Sequence, residues 1–188
     1  MGPGGRRFES FLPTILSVIL CFLFSSYLFC AIFDKKKKLM DFCHFLTSYM
    51  PDPSVGSEIH FQNMIDQSIL ADKLGYNTVS IPEHHLINIL MMPSPLQMAV
   101  KIATLTKNIN ITTGIAVLPL HDMRTYAGDV ATADILTNGR LILGVGRGAF
   151  EWEMERLGSP KNESKEKFVE SLDVLQLCLL YTSPSPRD

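Results

Sequence analysis

Between residues 40 and 177 the sequence alternates between short apolar runs and longer stretches in which apolar residues recur every three or four positions. Runs of the first kind predict buried β-strands, and stretches of the second kind predict amphipathic helices. The predicted strands cover residues 41–47, 78–81, 110–118 and 141–145. The predicted helices cover residues 59–74, 95–106 and 125–136, and a last helix begins near Glu163. On the first of these helices we expect one apolar stripe, made of Phe61, Ile65, Ile69 and Leu70.

Four successive β-α units predict an α/β fold with a parallel sheet and helices packed outside it. The strands are rich in Val, Ile and Leu, which suits burial on both faces. Such units fit either the N-terminal half of a (β/α)8 TIM barrel or a small doubly wound sheet, and periodicity does not separate the two. In both architectures ligands bind at the carboxyl ends of the strands. The residues that follow each strand are therefore the candidates for chemistry.

The N-terminal end of the chain has a different composition. Residues 11–33 contain no charge, and at about 1.5 Å per residue such a helix would span the roughly 30 Å core of a bilayer. Four lysines follow this segment and two arginines precede it, so a signal anchor would leave the rest of the chain in the cytoplasm. Alternatively, the lysine run before Met40 indicates a purine-rich upstream region, with the natural start at Met40.

The C-terminal segment CLLYTSPSPRD, residues 178–188, resembles the translation of a transposase adaptor used to make sequencing libraries. Its prolines would also end the helical pattern before it. We therefore divide the chain into three parts. Residues 1–39 form an apolar leader, residues 40–177 form the folded body, and residues 178–188 form a tail of adaptor origin. On this division we expect the natural gene to continue beyond residue 177.

The charge of the body excludes one class of partner. Residues 40–177 hold ten Lys and Arg residues against sixteen Asp and Glu residues. This mildly acidic balance offers no basic face, so we expect no nucleic-acid binding. Only Cys43 of the four cysteines lies in the body, which excludes a disulfide framework and a structural zinc site there. We expect a cytoplasmic protein, membrane-anchored only if residues 11–33 are translated.

Three titratable residues, Glu83, His84 and His85, come directly after the second predicted strand. Their position suggests acid/base catalysis, because imidazole titrates near neutral pH. A solvated loop with capping histidines is the alternative. We expect no metal at this segment, because adjacent residues in extended backbone point apart and rarely bind one ion together.

A glycine-rich loop follows the fourth predicted strand. Gly146 and Gly148 would let the backbone approach a bound group closely, and Arg147 could pair with a phosphate. The loop also satisfies a loose G-x-G-x-x-A dinucleotide pattern, although that pattern normally follows the first strand of its domain. A tight strand exit and a surface ion pair of Arg147 are the simpler alternatives. Gly114, inside the third predicted strand, indicates a bulge or a close backbone approach.

Two other polar segments have simple structural interpretations. His121 and Asp122 follow Pro119 and are typical of a capping pair at the start of a helix. Trp152 and the glutamates around it are typical of an exposed amphipathic turn.

Taken together, these segments resemble the luciferase-like monooxygenase family. The likeness runs along residues 40–177 and rests on LGY at 74–76, EHH at 83–85, VLP at 117–119, and GRL at 139–141 through GVGRG at 144–148. The resemblance implies the N-terminal half of a (β/α)8 barrel that binds reduced FMN and uses O2 to oxidise a small organic substrate. It also implies a flavin reductase as partner, and it is compatible with a homo- or heterodimer of the full-length form.

The resemblance further assigns roles to individual residues. His84 matches the family's active-site histidine, which would act as acid/base beside the flavin, and Glu83 matches its acidic neighbour. Arg147 matches the arginine that contacts the FMN phosphate, with Gly146 and Gly148 on either side of it.

The residues Gly114 and Ile115 fall where the family often carries a non-proline cis peptide under the flavin ring. Gly146 stands where light-emitting members carry a reactive cysteine, so we expect no light emission. Strands five to eight, which would complete the flavin pocket, are not found in residues 40–177.

Three alternative functions remain open at this point. The first is a deazaflavin (F420)-dependent dehydrogenase on the same barrel. The second is a non-catalytic, membrane-anchored binding protein, which residues 11–33 alone support. The third is a Rossmann-type nicotinamide protein whose cofactor binding depends on Gly144 and Gly146.

Overall fold

The computed structural model describes the backbone of residues 40–182 and the side chains up to residue 179. The leader and residues 183–188 lie outside the described residues, and so does the predicted membrane anchor at residues 11–33. In the part of the chain that is described, no helix combines the length and the apolar character needed to cross a membrane.

Strands and helices alternate along the described chain. The strands are β1 (Cys43–Phe45), β2 (Thr78–Ile81), β3 (Asn110–Thr113), β4 (Ala116–Val117), β5 (Leu141–Ile142) and β6 (Val145–Gly146). The α-helices are α1 (Ser57–Leu74), α2 (Pro95–Leu105), α3 (Met123–Leu136), α4 (Glu151–Arg156) and α5 (Ser164–Thr182). Two 3-10 turns are added at Pro53–Val55 and Leu118–Leu120. The predicted order of elements is confirmed, and α4 is an addition to it.

The strand order decides the architecture. The sheet runs β1-β2-β3-β5 with every pair parallel, and β4 pairs in parallel with β6. The order follows the sequence without a reversal, as in a (β/α)8 barrel, whereas a doubly wound sheet reverses at its ligand crevice. The described chain is therefore a half barrel of four β-α units. The Rossmann alternative is wrong.

Two predicted strands are interrupted near their carboxyl ends. The strand predicted at residues 110–118 breaks after Thr113, where the peptide bond between Gly114 and Ile115 is cis. The neighbouring strand breaks after Ile142. Where the two strands break, the side chain of Thr113 makes the hydrogen bonds between them. Its hydroxyl donates to the carbonyl of Gly144 at 2.8 Å and accepts from the N–H of Gly144 at 2.9 Å. The two breaks thus face each other.

The apolar core lies between the sheet and the helices. Val79, Ile111 and Ile102 are fully buried there. Helix α1 contributes a face centred on Met64 and Ser68, and the hydroxyl of Ser68 donates to the carbonyl of Met64 at 2.8 Å. Leu70, predicted on the buried stripe, is 55% exposed. That prediction is wrong because the buried face includes polar residues that an apolar pattern does not reveal.

The amino-terminal edge of the sheet is held by Asp72 and Arg140. The carboxylate of Asp72 accepts hydrogen bonds of 2.8 to 3.0 Å from the backbone N–H groups of residues 107–109, just before β3. The guanidinium of Arg140 donates to the carbonyls of Ala103, Ile109 and Thr137. Arg140 therefore lies at the opposite edge of the sheet from the residues that follow the strands, and its role is structural.

Candidate active site

The predicted site residues come together at the carboxyl edge of the sheet. Glu83 and His84 follow β2, His121 follows β4, and Arg147 follows β6. Parallel strands end at the same edge, so segments far apart in sequence become neighbours there.

Glu83 is the centre of a buried hydrogen-bonded cluster. Glu83 is 2% exposed, and both oxygens of its carboxylate accept hydrogen bonds. One oxygen accepts from Nε2 of His85 at 2.7 Å and from Nε2 of His121 at 2.6 Å. The other accepts from the backbone N–H of Val117 at 2.7 Å. Glu83 therefore ties the segment after β2 to the segment after β4.

The charges of this cluster follow from those contacts. Burial works to raise the pKa of Glu83, but the hydrogen bonds from His121, His85 and Val117 outweigh it and hold the pKa below its usual value. The hydrogen bond to Glu83 raises the pKa of His85, against the effect of its own burial. Glu83 is thus an anion near neutral pH, and His85 favours its protonated form.

Glu83, His85 and His121 also bring their ligand atoms within 4.8 Å of one another, a grouping that could suggest a metal. The N–O distances of 2.6 and 2.7 Å are those of charge-assisted hydrogen bonds. Ligands around a tetrahedral zinc lie roughly 3.3 Å apart, given bond lengths of about 2.0–2.1 Å. The geometry therefore fits a hydrogen-bonded cluster.

His84 points away from His85, in the direction expected for neighbours in extended backbone. The backbone N–H of His84 donates to the backbone carbonyl of Met92 at 2.9 Å. The centre of its ring lies 5.5 Å from the centre of the Phe150 ring. Nδ1 of His84 is 3.7 Å from a carboxylate oxygen of Glu153. Burial lowers the pKa of His84, although Glu153 works to raise it. The imidazole is therefore neutral near pH 7.

Glu153 corrects a prediction made from the sequence. The sequence around Trp152 predicts an exposed turn. In the structure the segment forms helix α4, and Glu153 is only 3% exposed. Its second carboxylate oxygen accepts a hydrogen bond from the backbone N–H of His85. The signal available in the sequence is Met154, an apolar residue between two glutamates, which is also buried.

His121 is a second residue whose role the sequence did not reveal. The capping prediction holds for Asp122, whose carboxylate accepts from the N–H of Arg124 at 3.0 Å. His121 instead turns toward Glu83, and its ring stacks on Tyr126 at 4.1 Å between centroids. Burial raises the pKa of Tyr126 well above its usual value. His121 thus belongs to the site and Asp122 to the helix.

The glycine-rich loop leaves β6 under a tight steric constraint. Gly148 has a φ of 85°, and a Cβ there would lie 2.5 Å from Sδ of Met154 and 3.0 Å from Val117. Beside it the guanidinium of Arg147 is exposed, and no described carboxylate forms an ion pair with it. The tight strand exit predicted for the glycines is found, and helix α4 packs directly against it.

Gly114 lies at the close backbone approach that the sequence indicated. A Cβ at Gly114 would lie 2.0 Å from Oγ of Ser80 on β2. The cis peptide bond joins this glycine to Ile115 at the interrupted strand.

An open cavity of about 350 Å³ borders His84. The loop between β2 and α2 supplies its other walls, namely Leu86, Ile87, Asn88, Leu90, Met91 and Pro93. The walls are thus mostly apolar, with His84 and Asn88 as the polar groups. All of these residues belong to one segment of the chain, residues 84–93, so the cavity is an open depression on that loop.

Several known proteins resemble this chain in sequence or in fold. Over 97 residues the chain is 35% identical to the oxygenase component of the flavin-dependent trigonelline monooxygenase of Acinetobacter baylyi, covering 52% of this chain and 27% of that protein. A monooxygenase from Streptomyces bottropensis shares the fold with a TM-score of 0.68 and 26% identity, over 73% of this chain and 42% of that one.

A second similar structure is that of the oxygenating constituent of 3,6-diketocamphane monooxygenase from Pseudomonas putida, a type II Baeyer-Villiger monooxygenase in complex with FMN. It matches with a TM-score of 0.68 and 24% identity, over 72% of this chain and 38% of that one. In these three alignments the chain spans between 27 and 42% of the other protein's length.

The family model of the luciferase-like monooxygenases matches residues 40–185. That match covers every described strand and helix, and it includes the Glu83 cluster, His84 and Arg147. The chain belongs to the luciferase-like monooxygenase family.

Proposed function

We propose that this chain supplies the N-terminal half of the active site of a flavin-dependent monooxygenase. The enzyme would use reduced FMN and O2 to oxidise a small organic substrate. The observation that carries this proposal is the position of His84, a neutral histidine at the carboxyl edge of a half barrel, beside an open and mostly apolar cavity.

The residues at this edge suit a flavin phosphate. The exposed Arg147 has no carboxylate partner among the described residues, so its guanidinium is available for a bidentate contact. Gly146 and Gly148 carry no side chains of their own, and their backbone packs closely against neighbours: a Cβ would lie 2.0 Å from Cδ1 of Ile115 at Gly146 and 2.5 Å from Sδ of Met154 at Gly148. The cis peptide between Gly114 and Ile115 lies between β3 and β4, and β4 pairs with β6. We assign the phosphate to Arg147, Gly146 and Gly148. We assign the isoalloxazine ring to Gly114 and Ile115.

Reduced FMN, when bound, would supply the two electrons with which O2 delivers one oxygen atom to the substrate and the other to water. The contribution of the protein is position and electrostatics. With Nδ1 turned toward Glu153, Nε2 of His84 is the atom that would take a proton from the reacting groups or return it. A pKa below the usual value keeps this nitrogen able to accept a proton near neutral pH.

Glu83 has a supporting role in this proposal. Its hydrogen bonds hold His85 in place and favour the protonated form of that histidine. A positive charge on His85 helps to keep the adjacent His84 neutral. The negative charge of Glu83 itself acts in the opposite direction and raises the pKa of His84, so the supporting role of Glu83 is structural: it fixes the segment that carries both histidines.

Substrate and partners follow from the same assignment. The apolar walls beside His84 favour a substrate with an apolar part. A separate flavin reductase would supply reduced FMN, in keeping with the name of the trigonelline relative, which denotes an oxygenase component. We also expect that the full-length form acts in the cytoplasm and associates as a homo- or heterodimer.

The test uses the full-length protein, in which residues 40–177 are followed by the C-terminal half of the barrel. Purified protein is mixed anaerobically with reduced FMN, and binding and subsequent O2 uptake are measured. We expect reduced FMN to bind, and we expect the O2 uptake of the bound flavin to differ in rate from that of the same reduced FMN without protein, which reacts with O2 spontaneously. Hydride transfer to F420 without O2 uptake would instead establish the dehydrogenase alternative.

A further inference from the structure

The carboxylate of Glu153 serves two residues of the histidine segment at once. One oxygen accepts a hydrogen bond from the backbone N–H of His85, and the other lies 3.7 Å from Nδ1 of His84. A carboxylate that is 97% buried is costly unless it is paired. No described Lys or Arg forms an ion pair with Glu153, so both of its partners belong to residues 84 and 85.

We propose that Glu153 is a positioning residue for His84, holding its ring with Nδ1–H toward the buried carboxylate and Nε2 toward the ligand. The proposal rests on the function proposed above, in which His84 exchanges a proton with the reacting groups. Glu153 itself touches neither substrate nor cofactor in this scheme.

The surroundings of His84 support this role. Nδ1 is buried and has no hydrogen-bond partner within 3.5 Å among the described residues. The ring of Phe150 packs on the imidazole, and the backbone N–H of His84 is bound to Met92. The 3.7 Å gap to Glu153 would close to a hydrogen bond with a small movement, and catalytic hydrogen bonds commonly tighten when a ligand binds.

The other charges near His84 do not replace Glu153. Glu83 favours the protonated form of His84 and His85 opposes it, while burial has the largest effect. The oxygens of Glu83 are already engaged by His85, His121 and Val117. Glu153 is therefore the carboxylate left to orient the imidazole of His84.

The position of α4 connects this carboxylate to the loop that carries Arg147. Helix α4 begins three residues after Gly148, and its Met154 packs against that glycine. Glu153 and Met154 are the two buried residues of the helix. The loop proposed to hold the phosphate and the side chain proposed to orient His84 are thus parts of one packed unit.

The experiment measures the ring of His84 by NMR in full-length protein labelled with ¹⁵N-histidine. Two-bond ¹H–¹⁵N spectra identify the nitrogen that carries the proton and follow its titration, with His84→Gln used to assign the signals. In the wild-type protein we expect the Nδ1–H tautomer. A wild-type His84 that carries its proton on Nε2 would overturn the proposal without any Glu153 variant.

The variants separate positioning from a general effect of charge. Glu153→Gln should remove the preference for one tautomer and lower the pKa of His84, whereas Glu153→Asp should retain the tautomer. The control is Glu155→Gln, which removes the same charge from an exposed position of the same helix and should change neither quantity. A folded Glu153→Gln protein with the wild-type tautomer and pKa would contradict the proposal.

Kinetics provide an independent readout. In Glu153→Gln we expect kcat to fall roughly tenfold or more, as for lost partners of other functional histidines, with KM little changed. The acidic limb of the pH profile should move to lower pH, because the pKa of His84 falls. The NMR measurement requires no turnover, so absence of O2 uptake in the wild type would count against the proposed function alone.

Discussion

Oε1 of Glu83 lies 2.6 Å from Nε2 of His121, a residue 38 positions later in the chain. The contact joins the segment after β2 to the segment after β4 and is part of a cluster in which both oxygens of Glu83 accept hydrogen bonds. The acidic residue beside the proposed catalytic histidine is therefore a fixed structural anion, and its removal has consequences that can be measured.

Replacing Glu83 by Gln should destabilise the full-length protein by about 3 kcal/mol or more, because it breaks a buried pair and leaves its partners unsatisfied. The loss should depend on pH. The lowered pKa of Glu83 contributes stability above its unfolded value of about 4.3, which is lost as the pH falls through the folded value. The raised pKa of His85 contributes stability below about 6.5, which is lost as the pH rises through the folded value.

The difference in unfolding free energy between wild type and Glu83→Gln should therefore be largest between about pH 4.5 and 6.5. Urea unfolding at pH 3.5, 5.5 and 8.5 measures it. Asp66→Asn, on the exposed side of α1, is the control and should show little change at any of these pH values. A difference that is the same at all three pH values would contradict the assigned charges.

His84→Ala should lower turnover of the full-length enzyme by roughly 10²-fold or more, as expected for loss of a general acid/base. His44→Gln is the matched control, since His44 lies on β1 and Nε2 of its ring is hydrogen-bonded to Oε1 of Gln67 at 3.0 Å. Formation of the oxidised organic product, measured against a protein-free control with the same reduced FMN, provides the measurement. Unchanged turnover in His84→Ala would show that the assigned role is wrong.

Arg147→Ala should mainly weaken FMN binding, by roughly tenfold or more, because a charge-assisted contact contributes about 1.5–3 kcal/mol. Flavin fluorescence titration measures the Kd. The control is Arg156→Ala, which removes an exposed guanidinium that lies 5.1 Å from the ring centre of Trp152. Equal losses in both variants would mean that the effect is one of overall charge.

Gly148→Ala should lower the stability of the protein by more than the positive φ of that position alone explains. An alanine there takes up an unfavourable backbone conformation and also meets Met154 and Val117, so it should displace α4. Gly139→Ala provides the control, because Gly139 has a φ of 71° and open space around its Cβ position. We expect Gly148→Ala to lose FMN affinity and thermal stability, and Gly139→Ala to lose only about 1 kcal/mol of stability. Equal melting temperatures for the two variants would contradict this packing.

The 188-residue chain by itself should not bind FMN tightly as a monomer. β1 and β5 are the two edges of the described four-stranded sheet, and Phe42 and Phe45 at the first edge are 54% and 47% exposed. Open edges and exposed apolar side chains favour association over a closed pocket. Size-exclusion chromatography with an FMN titration tests this, and a monomer with tight FMN binding would refute it.

Local pattern was sufficient to predict the four β-α units and the edge of the sheet at which the candidate residues gather. Strands and helices have different apolar periods, and ligands of parallel α/β folds bind where strands end. The resemblance of the EHH and GVGRG segments then indicated the family, which the family match confirms. The assigned roles of His84 and Arg147 stay predictions.

Pairing between distant segments was decided only by the tertiary structure. A half barrel and a doubly wound sheet share the same local alternation, and only the order of the strands separates them. Glu153 is 68 residues from His85, and no local signal says that its carboxylate is buried against that segment. Charged residues in a short helix normally face water, so their burial depends on partners brought near by the fold. The sequence determined which residues could do chemistry, and the packing of the parallel strands determined which of them meet.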